Sequence, residues 1–334
     1  MASLKTKPFP TFEAAAADAR PSLAGRFLLP PFSLLDARQG WWRERKAAWL
    51  ASGIQSELGR SDQLLFAASA QPPAVYAAKN ALEAQLGRKL TWDEFAQARP
   101  DQIRQQGTSV FDPVLCELVY RWFSAPGQQV LDPFAGGSVR GIVAAATGRH
   151  YAGVDLRQEQ IEANQAQWAL LGQPGMPAPR WVQGDALHVR QALPGVQADL
   201  LFSCPPYGSL ERYSDDAADL STMRYPQFLH TYRQIIKESV ALLRPDRFAC
   251  FVVGDFRDAK GLCRGFVADT IAAFRDAGAR LYNEAILVTP AGSLPIRAGR
   301  AFEVSRKLGK THQHVLVFVK GDPKRATQAL GEVR

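Results

Sequence analysis

The residues best placed to do chemistry sit at four successive strand ends. The first group is Asp132-Pro133-Phe134-Ala135-Gly136-Gly137-Ser138, a glycine-rich turn between a predicted strand and a predicted helix. Such a turn lets a ligand approach the backbone closely and leaves helix N-terminal amides free. No Lys follows, so it is not the phosphate loop GxxxxGK(S/T), and its spacing departs from GxGxxG. An acid at a strand end accepts a hydrogen bond from an ammonium group, which suits an amino acid moiety better than a pyrophosphate. About twenty residues on, Gly153-Val154-Asp155-Leu156 ends the second strand. A carboxylate there in a doubly wound sheet commonly binds ribose hydroxyls. Gly184-Asp185-Ala186 ends the third, where a carboxylate can accept from an adenine amino group. Singly, each Asp also reads as a helix cap or turn former. In this order the three describe one cleft outside the carboxyl edge of a sheet.

The fourth strand ends in Ser203-Cys204-Pro205-Pro206-Tyr207-Gly208. Two prolines remove two amide donors and stiffen the chain. The preceding carbonyls are then presented in a fixed geometry beside Tyr207, a flat ring able to stack on a planar base. A rigid structural turn is the plainer reading of Pro-Pro-aromatic; its place at this strand end favours a role in the cleft.

Alternating elements must position these groups. Short apolar runs at 129–131, 151–156, 180–182, 199–203, 248–253, 280–288 and 315–319 read as strands, with helical segments at 138–147, 157–171, 226–243 and 264–277. Repeated strand-helix units argue for a mostly parallel sheet with helices on both faces. Only a polar linker, 289–314, separates the last two runs, which suggests a hairpin and one antiparallel strand at the end. Residues 1–106 read as a small, mostly helical appendage. Leu29-Pro30-Pro31-Phe32 is an extended docking segment, and a helix spans Gln39–Ser52. A second helix follows Pro72-Pro73 through about Leu86, and Thr91-Trp92-Asp93-Glu94 is a capping box. Trp41, Trp42 and Trp49 lie among basic residues in the first of these helices. They either pack on the main domain, the favoured reading, or form a basic aromatic surface for nucleic acid.

The 334 residues are 46% hydrophobic and 22% charged, which excludes a disordered, collagenous or coiled-coil chain. Cys116, Cys204, Cys250 and Cys263 include no CxxC pair, so no zinc site is signalled and no metal is expected, and four cysteines in a chain this long do not suggest a disulfide scaffold. No signal-peptide core and no run of about 18 apolar residues is present. A reducing cytoplasm is the expected compartment. The net charge of +8 points to a polyanion, with nucleic acid first. It is unevenly spread: 14 Lys+Arg against 10 Asp+Glu in 1–106, 17 against 19 in 107–288, and 9 against 3 in 289–334.

The pairing of DPFAGGS with SCPPY resembles the amino-methyltransferases of DNA, which methylate N6 of adenine or N4 of cytosine. Phe111-Asp112-Pro113 ahead of the first strand resembles the family's tenth motif, and the motif order resembles its gamma arrangement. The likeness covers roughly 107–320, and more loosely the chain resembles methylases of phages and prophages, with or without a restriction partner. The resemblance implies a Rossmann-like seven-stranded sheet with a reversed last strand, in an S-adenosylmethionine-dependent methyltransferase domain at 107–320. The helical appendage at 1–106 would precede it and a basic tail at 321–334 would follow.

It further implies that Phe111, Asp112, Asp132, Phe134, Gly136 and Gly137 line the methionine moiety. Asp155 would take the ribose and Asp185 the adenine. Ser203, Cys204, Pro205, Pro206 and Tyr207 would form the catalytic turn around a base flipped out of double-stranded DNA. Two departures stand out. Ser138 replaces the usual last glycine, and Cys204 fills a slot usually held by Asp, Asn or Ser. A thiol is a weak acceptor. The absence of Asp leans toward cytosine N4 and leaves a rival open: carbon-5 methylation of a pyrimidine with Cys204 as covalent nucleophile. A catalytically silent nucleic-acid binder of the same fold is a further alternative. Loop 208–224 reads as a lid or a solvated acidic loop. Arg297, Arg300, Arg306, Lys307 and Lys310 in the linker are the expected phosphate contacts.

Overall fold

The computed structural model describes residues 7–11, 22–55, 73–90, 94–95, 98–99, 111–208, 214, 216–292 and 294–333. In chain order its elements are α1 (Leu23–Phe27), β1 (Leu34–Asp36), α2 (Gly40–Ala51), α3 (Pro73–Leu86), α4 (Pro113–Phe123), β2 (Gln129–Asp132), α5 (Val139–Ala146), β3 (His150–Asp155), α6 (Gln158–Leu171) and β4 (Arg180–Gln183). Then come α7 (Val189–Ala192), β5 (Ala198–Ser203), α8 (Tyr225–Leu242), β6 (Leu243–Val253), α9 (Phe266–Asp276), β7 (Arg280–Val288), α10 (Leu294–Ser305), β8 (His312–Lys320) and α11 (Pro323–Gln328). The chain divides into two compact units. One comprises Met1–Gly59, Phe111–Thr289 and His312–Arg334; the other comprises Arg60–Val110 and Pro290–Thr311.

The first unit holds one sheet in the order β1-β7-β8-β6-β5-β2-β3-β4. Neighbours run parallel except β8, which is antiparallel to both β6 and β7. This is the expected Rossmann-like α/β sheet with a reversed last strand. The eighth strand is an addition: β1, three residues long, pairs parallel with β7 from Leu34 opposite Ile286 to Asp36 opposite Val288. Three residues carry no readable periodicity. β5 is buried at every position, because both faces are covered, and so reads as a continuous apolar run. On one face, Phe228 and Tyr232 of α8 stack at 5.7 Å and Phe274 of α9 stacks on Phe318 at 3.9 Å. On the other, Tyr120 of α4 meets Phe202 edge-on at 5.4 Å and Phe123 meets Phe248 at 5.5 Å.

The polar linker expected between the last two strands is corrected. It contains α10, where Pro295 sits in the first turn and Gly299 weakens the helical signal. β8 also starts three residues early, at His312, because polar residues there pair with Ile286–Val288. Thr91, Trp92 and Asp93 of the capping box lie outside the described residues. In the second unit the Glu83 carboxylate ties α3 to the chain beyond it, accepting from Lys79, Lys89 and the Leu90 amide. No helix among the described residues is long and apolar enough to cross a membrane.

The α2 tryptophans pack inward. Trp42 and Trp49 are buried, and Trp41 is half-buried. Trp49 Nε1 donates to Glu117 Oε2 at 2.8 Å. The same fully buried carboxylate accepts from Arg45 Nη2 at 2.6 Å and from Arg121 Nε at 2.9 Å. Two cations and an indole N–H converge on one acid and clamp α2 to α4. Removing one partner of such a buried cluster strands the others in low dielectric. Glu117→Ala should therefore cost about 3–5 kcal/mol, read as a lower urea midpoint by tryptophan fluorescence. An unchanged midpoint would show that the clamp is not what holds α2.

Candidate active site

The strand order reverses between β2 and β5, and the crevice at such a switch point lies outside the carboxyl edge. Asp132 ends β2, Asp155 ends β3, Asp185 follows β4, and Ser203-Cys204 ends β5. The fold therefore brings all four predicted strand-end groups to one edge.

Asp132 is fully buried. Its Oδ1 accepts from the Phe134 amide at 3.1 Å and from Ser203 Oγ at 2.5 Å. Its Oδ2 accepts from Arg140 Nε at 2.5 Å and from Tyr151 Oη at 2.7 Å. A carboxylate has about four acceptor sites, so both oxygens are committed. The ammonium expected at Asp132 finds its place taken by the Arg140 guanidinium. Arg140 Nη2 also donates to the carbonyls of Phe134, at 2.5 Å, and Ala135, at 2.9 Å. The guanidinium lies 4.6 Å from the Phe111 ring centroid. Burial, the largest single influence, would lower the Arg140 pKa, but the charge and hydrogen bond of Asp132, with Tyr151 and Cys204 nearby, together hold the group above its ordinary value. The glycine turn is thus wrapped around an internal cation.

Gly136 adopts φ +50°, where a side chain would be strained. Its amide donates to Asp155 Oδ2 at 2.9 Å, and Asp155 Oδ1 accepts from the Arg157 amide at 3.0 Å. Asp155 is half-buried, and burial pushes its carboxyl pKa up. Gly153 is needed for a different reason. A Cβ there would lie 2.7 Å from Tyr151 Oη and 2.8 Å from Ala135 Cβ, blocking the reach of Tyr151 to Asp132. Gly137 is half-buried in the turn. Ser138 is accommodated, its hydroxyl donating to Gln167 Oε1 at 2.5 Å. Asp185 is half-buried and its Oδ1 caps the turn Ala186–His188 through the Leu187 amide at 2.8 Å.

Phe111 meets Phe202 edge-on at 5.7 Å. Asp112 is occupied otherwise: it caps α4 through the Val114 amide, accepts from Trp42 Nε1 at 3.2 Å and pairs with Lys46 at 3.1 Å. Ser203 and Cys204 diverge. Ser203 is buried and bonded to Asp132, whereas the half-buried Cys204 places Sγ 3.6 Å from Tyr207 Oη. Pro205 is buried, while Pro206 and Tyr207 are half-buried. Tyr207 Oη accepts from Gln313 Nε2 of β8 at 2.8 Å and donates to the Val252 carbonyl at 3.4 Å. Gly208, at φ +54°, packs so closely on Phe256 that a Cβ would come within 2.8 Å of the ring.

Arg140, Tyr151 and Gln313 are absent from the expected site. Arg140 left one signal, a single charge in the otherwise apolar helix Val-Arg-Gly-Ile-Val-Ala-Ala-Ala. Gln313 left none, since its partner is distant in sequence. In the lid segment, residues 209–213 and Asp215 lie outside the described residues. The expected phosphate contacts fall in the second unit. Arg300 and Lys310 are exposed and Lys307 half-buried, and the Arg306 guanidinium lies 5.1 Å from the Phe302 ring centroid. Arg297 is on α10, but its side chain lies outside the described residues.

No family model and no curated protein matches the chain. Solved structures do. TrmN from Thermus thermophilus is 19% identical over 62% of this chain and 48% of its own, with a TM-score of 0.42. The chain thus spans about half of TrmN. A methyltransferase from Pyrococcus furiosus is 15% identical over 75% of this chain and 98% of its own, with a TM-score of 0.43. An rRNA methylase from Streptococcus thermophilus is 8% identical over 64% and 100%, at 0.40. Likenesses this faint do not bear on what the chain binds.

Arg140→Met should leave the Asp132 carboxylate buried and unpaired, at a cost of about 3–5 kcal/mol. Adding Asp132→Asn should return part of that loss. Denaturant unfolding of the two single variants and the double variant measures the coupling; purely additive losses would show that the pair does not act as a unit.

Proposed function

We propose that the protein transfers a methyl group from S-adenosylmethionine to an exocyclic amino group of a base in DNA, N4 of cytosine in preference to N6 of adenine. The observation that carries this reading is the meeting of the DPFAGGS turn, Asp155, Asp185 and Cys204-Pro205-Pro206-Tyr207 at one switch point. The residues fit the cofactor. Asp155 is an acid whose charge is disfavoured by burial, and two ribose hydroxyls donating to it would relieve that cost. Asp185 caps with one oxygen and can accept from the adenine with the other. The amino acid end would lie along the backbone of Phe134–Gly137, with Asp132 and Arg140 shaping the turn rather than gripping the ligand.

When bound, S-adenosylmethionine supplies an electrophilic methyl carbon and leaves as a neutral thioether. The chain's own groups raise the nucleophilicity of the base. The carbonyls held by Pro205 and Pro206, with the Cys204 sulfur as a weaker acceptor, would take hydrogen bonds from the target amino group and keep electron density on its nitrogen. That nitrogen gains the methyl carbon and sheds one proton to solvent. Tyr207, tethered by Gln313, offers the stacking face for a flipped base. The slightly acidic stretch 107–288 suits a cationic cofactor, and the basic excess of 289–334 suits phosphates.

Nucleoside mass spectrometry of DNA from cells expressing the protein should reveal an N-methylated base that Pro206→Ala abolishes. Methylation confined to RNA, or none at all, would overturn the DNA reading. Cys204→Ser separates amino methylation, which should survive, from carbon-5 chemistry, which should stop and would trap 5-fluorocytosine in the unaltered protein.

Asp155→Ala should weaken cofactor binding about tenfold or more by calorimetry, since hydrogen bonds to a charged acceptor are worth about 1.5–3 kcal/mol. Replacing Arg300, Arg306 and Lys307 with Ala together should flatten the salt dependence of DNA binding by about 2–3 in log–log slope. Cofactor affinity should not move. An unchanged slope would assign these cations to solvent.

A further inference from the structure

Between β6 and α9 the chain makes a small hairpin that the catalytic reading does not use. The Asp258 amide donates to the Leu262 carbonyl at 2.9 Å, and the Leu262 amide donates back to Asp258 Oδ1 at 2.9 Å. Gly261 makes the reversal at φ +86°. Arg257 and Cys263 form an antiparallel bridge, and Arg257 Nη1 donates to the Gly261 carbonyl at 2.8 Å. At the base, the Asp255 carboxylate accepts from the amides of Phe256, Gly265 and Phe266. The hairpin is therefore held in shape by its own backbone and two aspartates. It also grows from the catalytic turn, because Phe256 is the ring that packs on Gly208, the residue after Tyr207.

The tip carries an unusual combination. Leu262 is 65% exposed. Arg257, Lys260 and Arg264 around it are exposed; none of the three forms an ion pair among the described residues, and the Arg264 guanidinium lies 4.7 Å from the Tyr225 ring centroid. The one acid, Asp258, is turned inward onto the Leu262 amide, which holds its carboxyl below the ordinary range. A single exposed leucine means little by itself. A leucine on a tip braced by its own hydrogen bonds, among three exposed cations and rooted beside the catalytic turn, is a different matter. It is too small and too charged for the apolar core of a protein interface. It matches a duplex, whose phosphates take the cations and whose stacked bases take an apolar wedge.

We propose that residues 256–264 are a finger that enters duplex DNA, with Leu262 filling the space left by the flipped base and Arg257, Lys260 and Arg264 on the flanking phosphates. This rests on the DNA reading above. A wedge is needed only where a base must be unstacked, so its loss should spare substrates already open.

The test uses the full chain, labelled S-adenosylmethionine, and unmethylated plasmid DNA, either intact or heat-denatured. Leu262→Ala should lower methyl incorporation into intact duplex about tenfold or more, yet stay within about twofold of the unaltered protein on denatured DNA. Leu262→Met should restore most of the duplex activity. Equal activity on the duplex, or an equal loss on both forms, would overturn the finger while leaving the DNA reading in place. If the unaltered protein methylates neither form, the parent reading falls and the finger with it.

Discussion

The buried pair of Arg140 and Asp132 is the contact on which the site depends. Asp132 ends the central strand β2, and its four hydrogen bonds reach the glycine turn, helix α5, strand β3 and strand β5. One carboxylate therefore sets the relative positions of the two motifs that define the candidate site. The cost of burying both charges is offset by saturating the acceptors of the acid and by donating from Arg140 Nη2 to two turn carbonyls. The arrangement constrains its neighbours in turn. Gly153 must lack a side chain so that Tyr151 can reach in, and Gly136 must take a positive φ so that its amide can turn to Asp155.

The same logic of indirect support recurs around the second motif. Prolines fix the backbone of Cys204-Pro205-Pro206-Tyr207, but the orientation of Tyr207 is fixed by Gln313, which arrives on the reversed strand β8. Ser203 turns to brace Asp132, whereas the weakly accepting thiol of Cys204 lies 3.6 Å from the Tyr207 hydroxyl. Beyond Gly208, the close fit of Phe256 carries the β6–α9 hairpin up from the same turn. The candidate site groups are thus few, and much of the surrounding sequence serves to position them.

Several parts of this are legible in the sequence. The strands from 129 to 253, the antiparallel last strand and the convergence of Asp132, Asp155, Asp185 and Cys204 follow from apolar runs and turn residues, which are local in sequence. Inward packing of Trp42 and Trp49 is the favoured reading of this basic aromatic helix, and Glu117 supplies its reason. Less was legible where the signal was short or diluted. β1 is three residues, and α10 hides behind Pro295 and Gly299.

The sequence by itself determined the fold class, the order of the strand ends and which residue types crowd the cleft, because hydrophobic periodicity and turn chemistry act over a few neighbouring residues. Only the tertiary structure decided what each acid is bonded to. Asp132 reads in the sequence as an open acceptor and is a saturated partner of Arg140; Asp112 joins α2 to α4. Hydrogen bonds and ion pairs are settled by which side chains meet across the fold, and those partners lie up to a hundred or more residues apart, as Tyr207 and Gln313 do.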